Sequence, residues 1–261
     1  MTDDLFSVAG QIVLVSGGSR GIGKALAAGF AARDAQVVIT GREAATLDAT
    51  AREISTGKAP VQTVVCDVSE VDDIRNLVKT VIERFGRIDT LVNVAGVNKR
   101  KKAETFSPEE YDFILDINLR GLFFLSQEVG RQMLTQKQGT IINIDSLNTY
   151  SPLKGVLPYA MSKAGVSMLT RGLAAEWGPG GVRVNGIAPG FILTDLTNKL
   201  WSIPTMQAWN KSVCPMQRLG QVEDLIGTAI YLASKASAFM TGQTLYVDGG
   251  MSSGTLWPIE L

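Results

Sequence analysis

The stretch VLVSGGSRGIG, residues 13–23, runs from apolar residues straight into a turn with glycines at positions 17, 18, 21 and 23. Glycine destabilises a strand or a helix by roughly 0.5–1 kcal/mol relative to alanine, so four glycines in one turn indicate a backbone under special constraint. A helix that begins directly behind such a turn offers unpaired N–H donors to an anion. A surface loop has the same composition, and the rest of the chain decides between the two interpretations.

Short apolar runs alternate with segments of helical periodicity along the whole chain. Residues 74, 77, 78, 81, 82 and 85, for example, form one apolar stripe at helical spacing. Short β-branched runs between amphipathic helices predict parallel strands covered on both faces. We therefore expect one α/β domain over residues 1–261, a doubly wound Rossmann-type fold with a seven-stranded parallel sheet. The predicted strands are IVLV (12–15), VVIT (37–40), QTVVC (62–66), TLVNV (90–94), TIINI (140–144), VRVNGIA (182–188) and TLYV (244–247).

The composition narrows the possible functions. The chain has a formal net charge of zero and no histidine, so nucleic-acid binding, histidine-based triads and a metal site are not expected. The two cysteines are far apart, and Cys66 lies in an apolar run that predicts a buried thiol. The N-terminus lacks the pattern of a signal peptide, and no apolar run approaches 18 residues. We expect a cytoplasmic protein without membrane contact.

Candidate catalytic side chains follow the fifth predicted strand. Ser146 comes just after TIINI, and thirteen residues later Tyr159 and Lys163 stand at positions i and i+4 of a helical pattern. This spacing places phenol and ammonium on one helix face, where the cation favours the ionised phenol. Tyr159 could then exchange a proton with a substrate oxygen that Ser146 binds. Such a pair also arises by chance on exposed helices, so the pair by itself is weak evidence.

The ensemble of motifs resembles the short-chain dehydrogenase/reductase family over nearly the whole chain. The resemblance rests on SGGSRGIG (16–23), CDV (66–68), NVAG (93–96), DINLRG (116–121), Ser146, YAMSK (159–163), APG (188–190) and VDGG (247–250), in this order and spacing. It implies a catalytic set of Asn118, Ser146, Tyr159 and Lys163, in which Tyr159 is the acid/base and Lys163 lowers its pKa. Asp145 departs from the small residue that is common before the catalytic serine.

The resemblance also implies a dinucleotide site. Its expected residues are Gly17, Ser19, Arg20, Gly21, Ile22, Gly23, Arg42, Asp67, Val68, Asn93, Ala95, Gly96, Tyr159, Lys163, Pro189, Gly190, Ile192 and Thr194. The second strand ends in Thr40, Gly41 and Arg42, with no acid to accept a ribose 2′-OH. Arg42 and Arg20 instead offer two guanidinium groups to a 2′-phosphate, which predicts NADP(H). The alternative is that both arginines are solvated surface residues.

The substrate is predicted from the loop after NVAG, which carries four consecutive cations at 99–102. A cation at the mouth of the site could hold a carboxylate, and Arg100 is the candidate because its planar fork is bidentate. Ser146, Asn148, Tyr159 and Arg100 are then the substrate-binding residues. The sequence of residues 95–124 resembles those of gluconate 5-dehydrogenases and their deoxy-keto-gluconate relatives, and this resemblance implies that the substrate is a keto sugar acid. A 3-oxoacyl carrier-protein reductase, a broad ketone reductase and a non-catalytic nucleotide-binding scaffold remain alternatives, as does a merely solvated charge run.

Two further segments carry expectations. Residues 195–216 mix tryptophans with polar residues behind the expected nicotinamide contacts, and the family resemblance implies a substrate lid there. The tail 251–261 includes Trp257, Pro258 and Ile259, which are too apolar for a free end. We expect the tail to pack on a neighbouring subunit of a homotetramer, the assembly that the resemblance implies.

Overall fold

The computed structural model describes residues 4–254, 256–257 and 259. Within them, seven parallel strands form one sheet, as the sequence predicted. The strands are β1 (Ile12–Ser16), β2 (Gln36–Gly41), β3 (Gln62–Val65), β4 (Thr90–Asn93), β5 (Gly139–Ile144), β6 (Val182–Pro189) and β7 (Thr244–Val247). Their order in the sheet is β3-β2-β1-β4-β5-β6-β7. Strands β2 and β3 lie on one side of β1 and the later strands lie on the other, so the order reverses between β1 and β4 and creates a crevice at the carboxyl ends of these two strands.

Helices connect the strands and cover both faces of the sheet. They are α1 (Gly21–Ala31), α2 (Ala44–Ile54), α3 (Val71–Phe85), α4 (Pro108–Leu115), α5 (Leu122–Gln136), α6 (Leu157–Trp177), α7 (Asp195–Trp201), α8 (Pro204–Val213) and α9 (Ile226–Ala233). A π-helical turn, Asp116–Gly121, joins α4 to α5. No helix in the described part of the chain is long and apolar enough to cross a membrane.

The core consists of two apolar layers, one on each face of the sheet. On one face, Leu26 and Phe30 of α1 pack with α2 and α9 against inward residues of β1 and β2. On the other face, α3, α5 and α6 pack against the alternate strand residues. The predicted stripe of α3 is correct, since Ile74, Leu77 and Val81 are fully buried there. Strands buried on both faces are held rigidly, which fixes the loops at their carboxyl ends.

Helices α7 and α8 form the segment that the sequence assigned to a lid. Phe191, just after β6, lies between Trp201 of α7 and Trp209 of α8, at ring-centroid distances of 4.9 Å and 5.3 Å. Trp201 is buried, whereas Leu196 is 79% exposed. The segment is therefore anchored to the end of β6 by aromatic packing and presents its other side to solvent.

Candidate active site

The glycine turn between β1 and α1 owes its composition to close backbone packing. Gly17 has φ +73°, and a Cβ atom there would lie 2.7 Å from the main-chain nitrogen of Ala95. A Cβ atom on Gly23 would collide with the carbonyl oxygen of Gly17. The turn is tied to β2, because the N–H groups of Gly17 and Gly18 donate to the Thr40 carbonyl. Only glycine permits this cradle at the start of α1, where free N–H groups attract a phosphate.

The other predicted dinucleotide residues lie around this cradle. Thr194 at the start of α7 comes within 3.6 Å of the position that a Cβ atom would occupy on Gly21. Val68 and Ala95 line a small cavity beside Ser16. Asp67 accepts hydrogen bonds from the N–H and hydroxyl of Ser69, which fixes its carboxylate in the loop after β3. Gly96 lies in the loop after β4, Pro189 ends β6 and Gly190 follows it, and the Ile192 side chain is buried in the core.

The Asn93 side chain takes part in a buried hydrogen-bond network. Its amide nitrogen donates to Ser126 on α5 and to Asn143 on β5, each at 2.9 Å. Asn143 in turn donates to Thr170 on α6. This buried network ties two strands to two helices.

Arg20 lies in the glycine turn just before α1, and Arg42 directly follows β2. Both are exposed, and neither forms an ion pair with any residue that the structure describes. The next acid along the chain, Glu43, accepts a hydrogen bond from Thr46 in the first turn of α2. Two unpaired guanidinium groups beside a phosphate cradle favour an anion at this corner of the site.

Ser146, Tyr159 and Lys163 come together at the carboxyl end of β5. The Ser146 hydroxyl accepts from the N–H of Asn148 at 3.1 Å and lies within hydrogen-bonding reach of the Tyr159 phenol. The Lys163 ammonium donates to the Ile144 carbonyl at 2.6 Å and lies 5.8 Å from the centroid of the Tyr159 ring. Serine, phenol and ammonium thus lie close to one another at the carboxyl end of β5.

The pKa of Tyr159 differs from the sequence expectation. Burial raises the pKa of this phenol above its usual value, and the Asp145 charge adds to the rise. The Ser146 hydroxyl and the more distant Arg100 act in the opposite direction. Burial also lowers the pKa of Lys163 to about 8, because the ammonium is only 4% exposed. Without cofactor, Lys163 therefore does not make Tyr159 a stronger acid than a free phenol.

Asn118 lies in the π-helical turn between α4 and α5. Its amide oxygen accepts from the N–H of Val97 at 2.8 Å, and its amide nitrogen donates to the Val97 carbonyl and to Ser162. These bonds connect the loop after β4 to α6 at Ser162, the residue directly before Lys163. Asn118 thus holds the site together without a direct hydrogen bond to the phenol or the ammonium among the described contacts.

The predicted substrate residues flank the phenol. The Asn148 amide donates to the Ser146 hydroxyl at 3.2 Å and accepts from the N–H of Leu153. Of the four cations at 99–102, Lys99 and Lys101 both pair with Glu110 on α4, at 3.6 Å and 2.6 Å. Arg100 is exposed, is not ion-paired with any described residue, and its charge acts on Tyr159. Within the described residues, Arg100 and Lys102 are therefore the cations of this loop that form no ion pair.

Asp145 and Thr149 also belong to the hydrogen-bond network around Ser146, and the sequence had not predicted a role for either residue. The Asp145 carboxylate accepts from the N–H of Ser146 at 2.9 Å and from the Thr149 hydroxyl at 2.5 Å. The only signal in the sequence was an acid in a place where a small residue is common. Thr149 gave no signal, because its contact depends on the tight turn after Ser146.

Comparison with known proteins agrees with this geometry. A family described as "Enoyl-(Acyl carrier protein) reductase" matches residues 17–252. The chain belongs to the short-chain dehydrogenase/reductase family. It is accordingly an oxidoreductase that acts on CH–OH and C=O groups.

Individual relatives of this short-chain dehydrogenase/reductase cover nearly its full length. It is 39% identical to a gluconate 5-dehydrogenase of Gluconobacter oxydans over 249 residues, 95% of this chain and 97% of that one. It is 40% identical to a 3-oxoacyl-[acyl-carrier-protein] reductase of Synechocystis over 243 residues, 92% and 96% of the two chains. A crystal structure of a gluconate 5-dehydrogenase from Burkholderia cenocepacia, in complex with NADP and tartrate, superposes with TM-score 0.93 and 38% identity over 97% of this chain and 99% of that chain.

Proposed function

We propose that this enzyme uses NADP(H) to reduce, reversibly, the keto group of a small keto sugar acid of the keto-gluconate type. The observation that carries the substrate class is the unpaired Arg100 guanidinium, whose charge reaches the Tyr159 phenol. A substrate whose carboxylate binds Arg100 would have its other end at the catalytic residues. The relatives named as gluconate 5-dehydrogenases support the same class.

Each catalytic residue has a defined task in this proposal. NADPH, when bound, supplies the hydride to the carbonyl carbon. Ser146 orients the carbonyl oxygen, and Tyr159 donates a proton to that oxygen as negative charge develops on it. Lys163 places a positive charge beside the phenol and stabilises the tyrosinate that remains. In the reverse direction the same tyrosinate removes the hydroxyl proton.

The cofactor preference rests on the corner that Arg20 and Arg42 form. A ribose 2′-phosphate would bind two free guanidinium groups, whereas NAD(H) would leave both without an anion. The glycine cradle accommodates the pyrophosphate in either cofactor. Similar structures that hold NADP support the choice of NADP(H).

Reduction of a carrier-bound 3-oxoacyl chain is the alternative that the Synechocystis relative raises. Docking of an acidic carrier protein requires several free cations on one surface. Here Lys99 and Lys101 are both paired with Glu110, so Arg100 and the exposed Lys102 are the cations of this loop that form no ion pair within the described residues. The charge arrangement therefore favours a small acid over a carrier protein.

The test compares a keto-gluconate with its uncharged keto-sugar analogue and a 3-oxoacyl thioester, with NADPH as reductant. We expect wild type to prefer the keto-gluconate. Arg100→Ala should raise KM for the keto-gluconate by roughly 10–100-fold, as loss of a charge-assisted hydrogen bond implies, with little effect on the neutral sugar. The matched control Lys102→Ala should change neither. Equal use of both sugars by wild type and Arg100→Ala would refute the carboxylate contact, and preference for the thioester would favour the alternative.

We also propose that the chain forms a homotetramer with a C-terminal contact between subunits. Within the described residues, Trp257 is 76% exposed and Ile259 is 52% exposed in the single chain, and Phe239 is fully exposed. Pro258, the third apolar residue of the predicted contact, lies outside the described residues. Light scattering should give four times the 28.0 kDa chain mass, and a monomer would contradict the proposal.

A further inference from the structure

A cavity of about 200 Å³ lies between α8 and the carboxyl ends of β6 and β7. Gly190 and Ile192, which the sequence assigned to the dinucleotide site, belong to its wall. Of the described residues that form this wall, none belongs to the predicted catalytic set. The cavity is therefore a space apart from the catalytic side chains. Its wall also includes Phe191, Asn210, Cys214, Met216, Val247 and Met251.

Asn210 brings a buried amide without a partner to this wall. The residue is 3% exposed, and its Oδ1 atom has no hydrogen-bond partner among the described residues. Asn210 and Cys214 stand at positions i and i+4, so their side chains lie on the same face of α8 and both line the cavity. A buried amide oxygen without a hydrogen bond costs free energy, so it indicates a missing partner.

The other polar groups of the wall are already bonded. The Cys214 thiol lies between 3.5 and 3.8 Å from three main-chain carbonyl oxygens. Arg218 and Asp224 form an ion pair through two hydrogen bonds, at 2.6 Å and 3.0 Å. The Asp248 carboxylate accepts from two N–H groups of the turn after β7. Within the described wall, the charges are thus neutralised or bonded, and the Asn210 amide is the group that still lacks a partner.

The remaining surface of the cavity suits an apolar body. Phe191, Met216, Val247 and Met251 supply a ring, two thioethers and an aliphatic side chain. The Phe191 ring is held in place by the two tryptophans of α7 and α8. Thioethers make favourable contacts with aromatic rings. A lone water molecule fits this wall poorly, because a buried water needs about two to four polar partners.

We propose that this cavity binds a small neutral aromatic molecule with one hydroxyl group, of the size of phenol. The hydroxyl donates to Asn210 Oδ1, and the ring packs against Phe191, Met216 and Met251. The volume is sufficient, because an engineered cavity of about 150 Å³ in another protein binds benzene. The proposal concerns a second site, so it goes beyond the proposed substrate and cofactor and does not depend on either.

Calorimetric titration of the full-length protein with phenol at pH 7 tests this site. Phenol is neutral at this pH, and the carbon that bears its hydroxyl has no hydrogen, so a dehydrogenase cannot oxidise it. We expect one phenol per chain, with a dissociation constant of about 1 mM, which a ligand of this size can supply. Toluene is the matched probe, because a methyl group replaces the hydroxyl. Absence of phenol binding to wild type would overturn the proposal.

Asn210→Leu removes the amide and nearly keeps its volume. It should weaken phenol binding by roughly tenfold or more, because the hydroxyl is then buried without a partner. It should change toluene binding by no more than about twofold. The matched control Asn198→Leu, at an exposed position of α7, should change neither. An equal effect of Asn210→Leu on both probes, or none on either, would overturn the proposal.

Two further measurements locate the bound phenol. Tyr159→Phe and saturating NADPH should each leave phenol affinity unchanged. A loss of phenol binding in either case would place the phenol at the catalytic residues or in the dinucleotide site and would overturn the proposal. If Asn210→Leu does not fold, a crystal structure of wild type with phenol decides. Phenol beside Asn210 supports the proposal, and phenol at any other place overturns it.

Discussion

Replacement of Lys163 by methionine should stabilise the cofactor-free protein at neutral pH while it ends turnover. The buried Lys163 ammonium destabilises the folded protein, since burial lowers the pKa of Lys163 from 10.5 to about 8. At about 1.4 kcal/mol per unit, that shift corresponds to a penalty of about 3 kcal/mol at neutral pH. Methionine also leaves the Ile144 carbonyl without its donor, which costs about 1 kcal/mol. The net expected gain is about 2 kcal/mol.

The pH dependence of this gain carries a definite sign. Between pH 8 and 10.5 the unfolded wild-type chain binds more protons at Lys163 than the folded chain does. The stability of wild type therefore rises with pH in this window, and the penalty is fully present below it. The methionine variant has no such group, so its advantage should shrink from about 2 kcal/mol near pH 7 to about zero near pH 9.5.

Urea unfolding of both proteins, at equal protein concentration and at the two pH values, measures this difference directly. Lys79→Met is a matched control, because the Lys79 side chain is 72% exposed on α3. It should change the free energy of unfolding by less than about 0.5 kcal/mol at either pH. The reasoning would be refuted if Lys163→Met were less stable than wild type at neutral pH. It would also be refuted if the difference in the free energy of unfolding between the two proteins did not change with pH.

Two further substitutions test the dinucleotide site. Arg42→Ala should raise KM for NADPH by roughly tenfold or more and leave KM for NADH nearly unchanged, since only NADPH carries the 2′-phosphate. Steady-state kinetics with both cofactors measures this, and an equal rise of KM for both would contradict the assignment. Gly23→Ala should abolish NADPH binding measured by fluorescence, because the added Cβ atom collides with the Gly17 carbonyl. Gly172→Ala is the control, because Gly172 is exposed in α6 with open space at its Cβ position, and it should raise the free energy of unfolding by about 0.5–1 kcal/mol. Retained NADPH binding in Gly23→Ala would count against the cradle.

The sheet was predictable because buried parallel strands are short, continuous and β-branched. The run TIINI at 140–144 corresponds to β5, Gly139–Ile144, and VRVNGIA at 182–188 corresponds to β6, Val182–Pro189. A strand covered on both faces leaves little freedom in its composition, so the sequence alone marks it. The order of the strands is known only from the structure, because the runs themselves do not show which strands pair.

The approach of Ser146 to Tyr159 and Lys163 was also predictable, because two helix positions and one strand end suffice to define it. The protonation states of these three side chains were not predictable from the sequence. The pKa of Tyr159 depends on burial and on Asp145, Ser146 and Arg100, and these contacts exist only after the chain folds. A spacing of i and i+4 predicts that two side chains are neighbours on a helix, but it does not predict how deeply they are buried or which charges surround them.

Charge pairing in the loop at 99–102 was equally hidden. Glu110 of α4 binds Lys99 and Lys101, and the capping box of α4 at Ser107 holds its carboxylate in place. Nothing in a run of four cations shows which of them a later helix neutralises. The structure reduces the run to Arg100 and Lys102 as its unpaired members within the described residues.

Turnover by Tyr159→Phe is the measurement that tests the central claim most directly. With NADPH and whichever of the keto-gluconate, the neutral keto sugar and the thioester wild type prefers, the variant should bind NADPH as wild type does. Its rate of hydride transfer should fall by roughly 10²–10⁴-fold, because the proton donor is gone. Tyr150→Phe, a variant of the exposed tyrosine in the neighbouring turn, should retain the wild-type rate. A folded Tyr159→Phe enzyme with near-normal turnover would contradict the account.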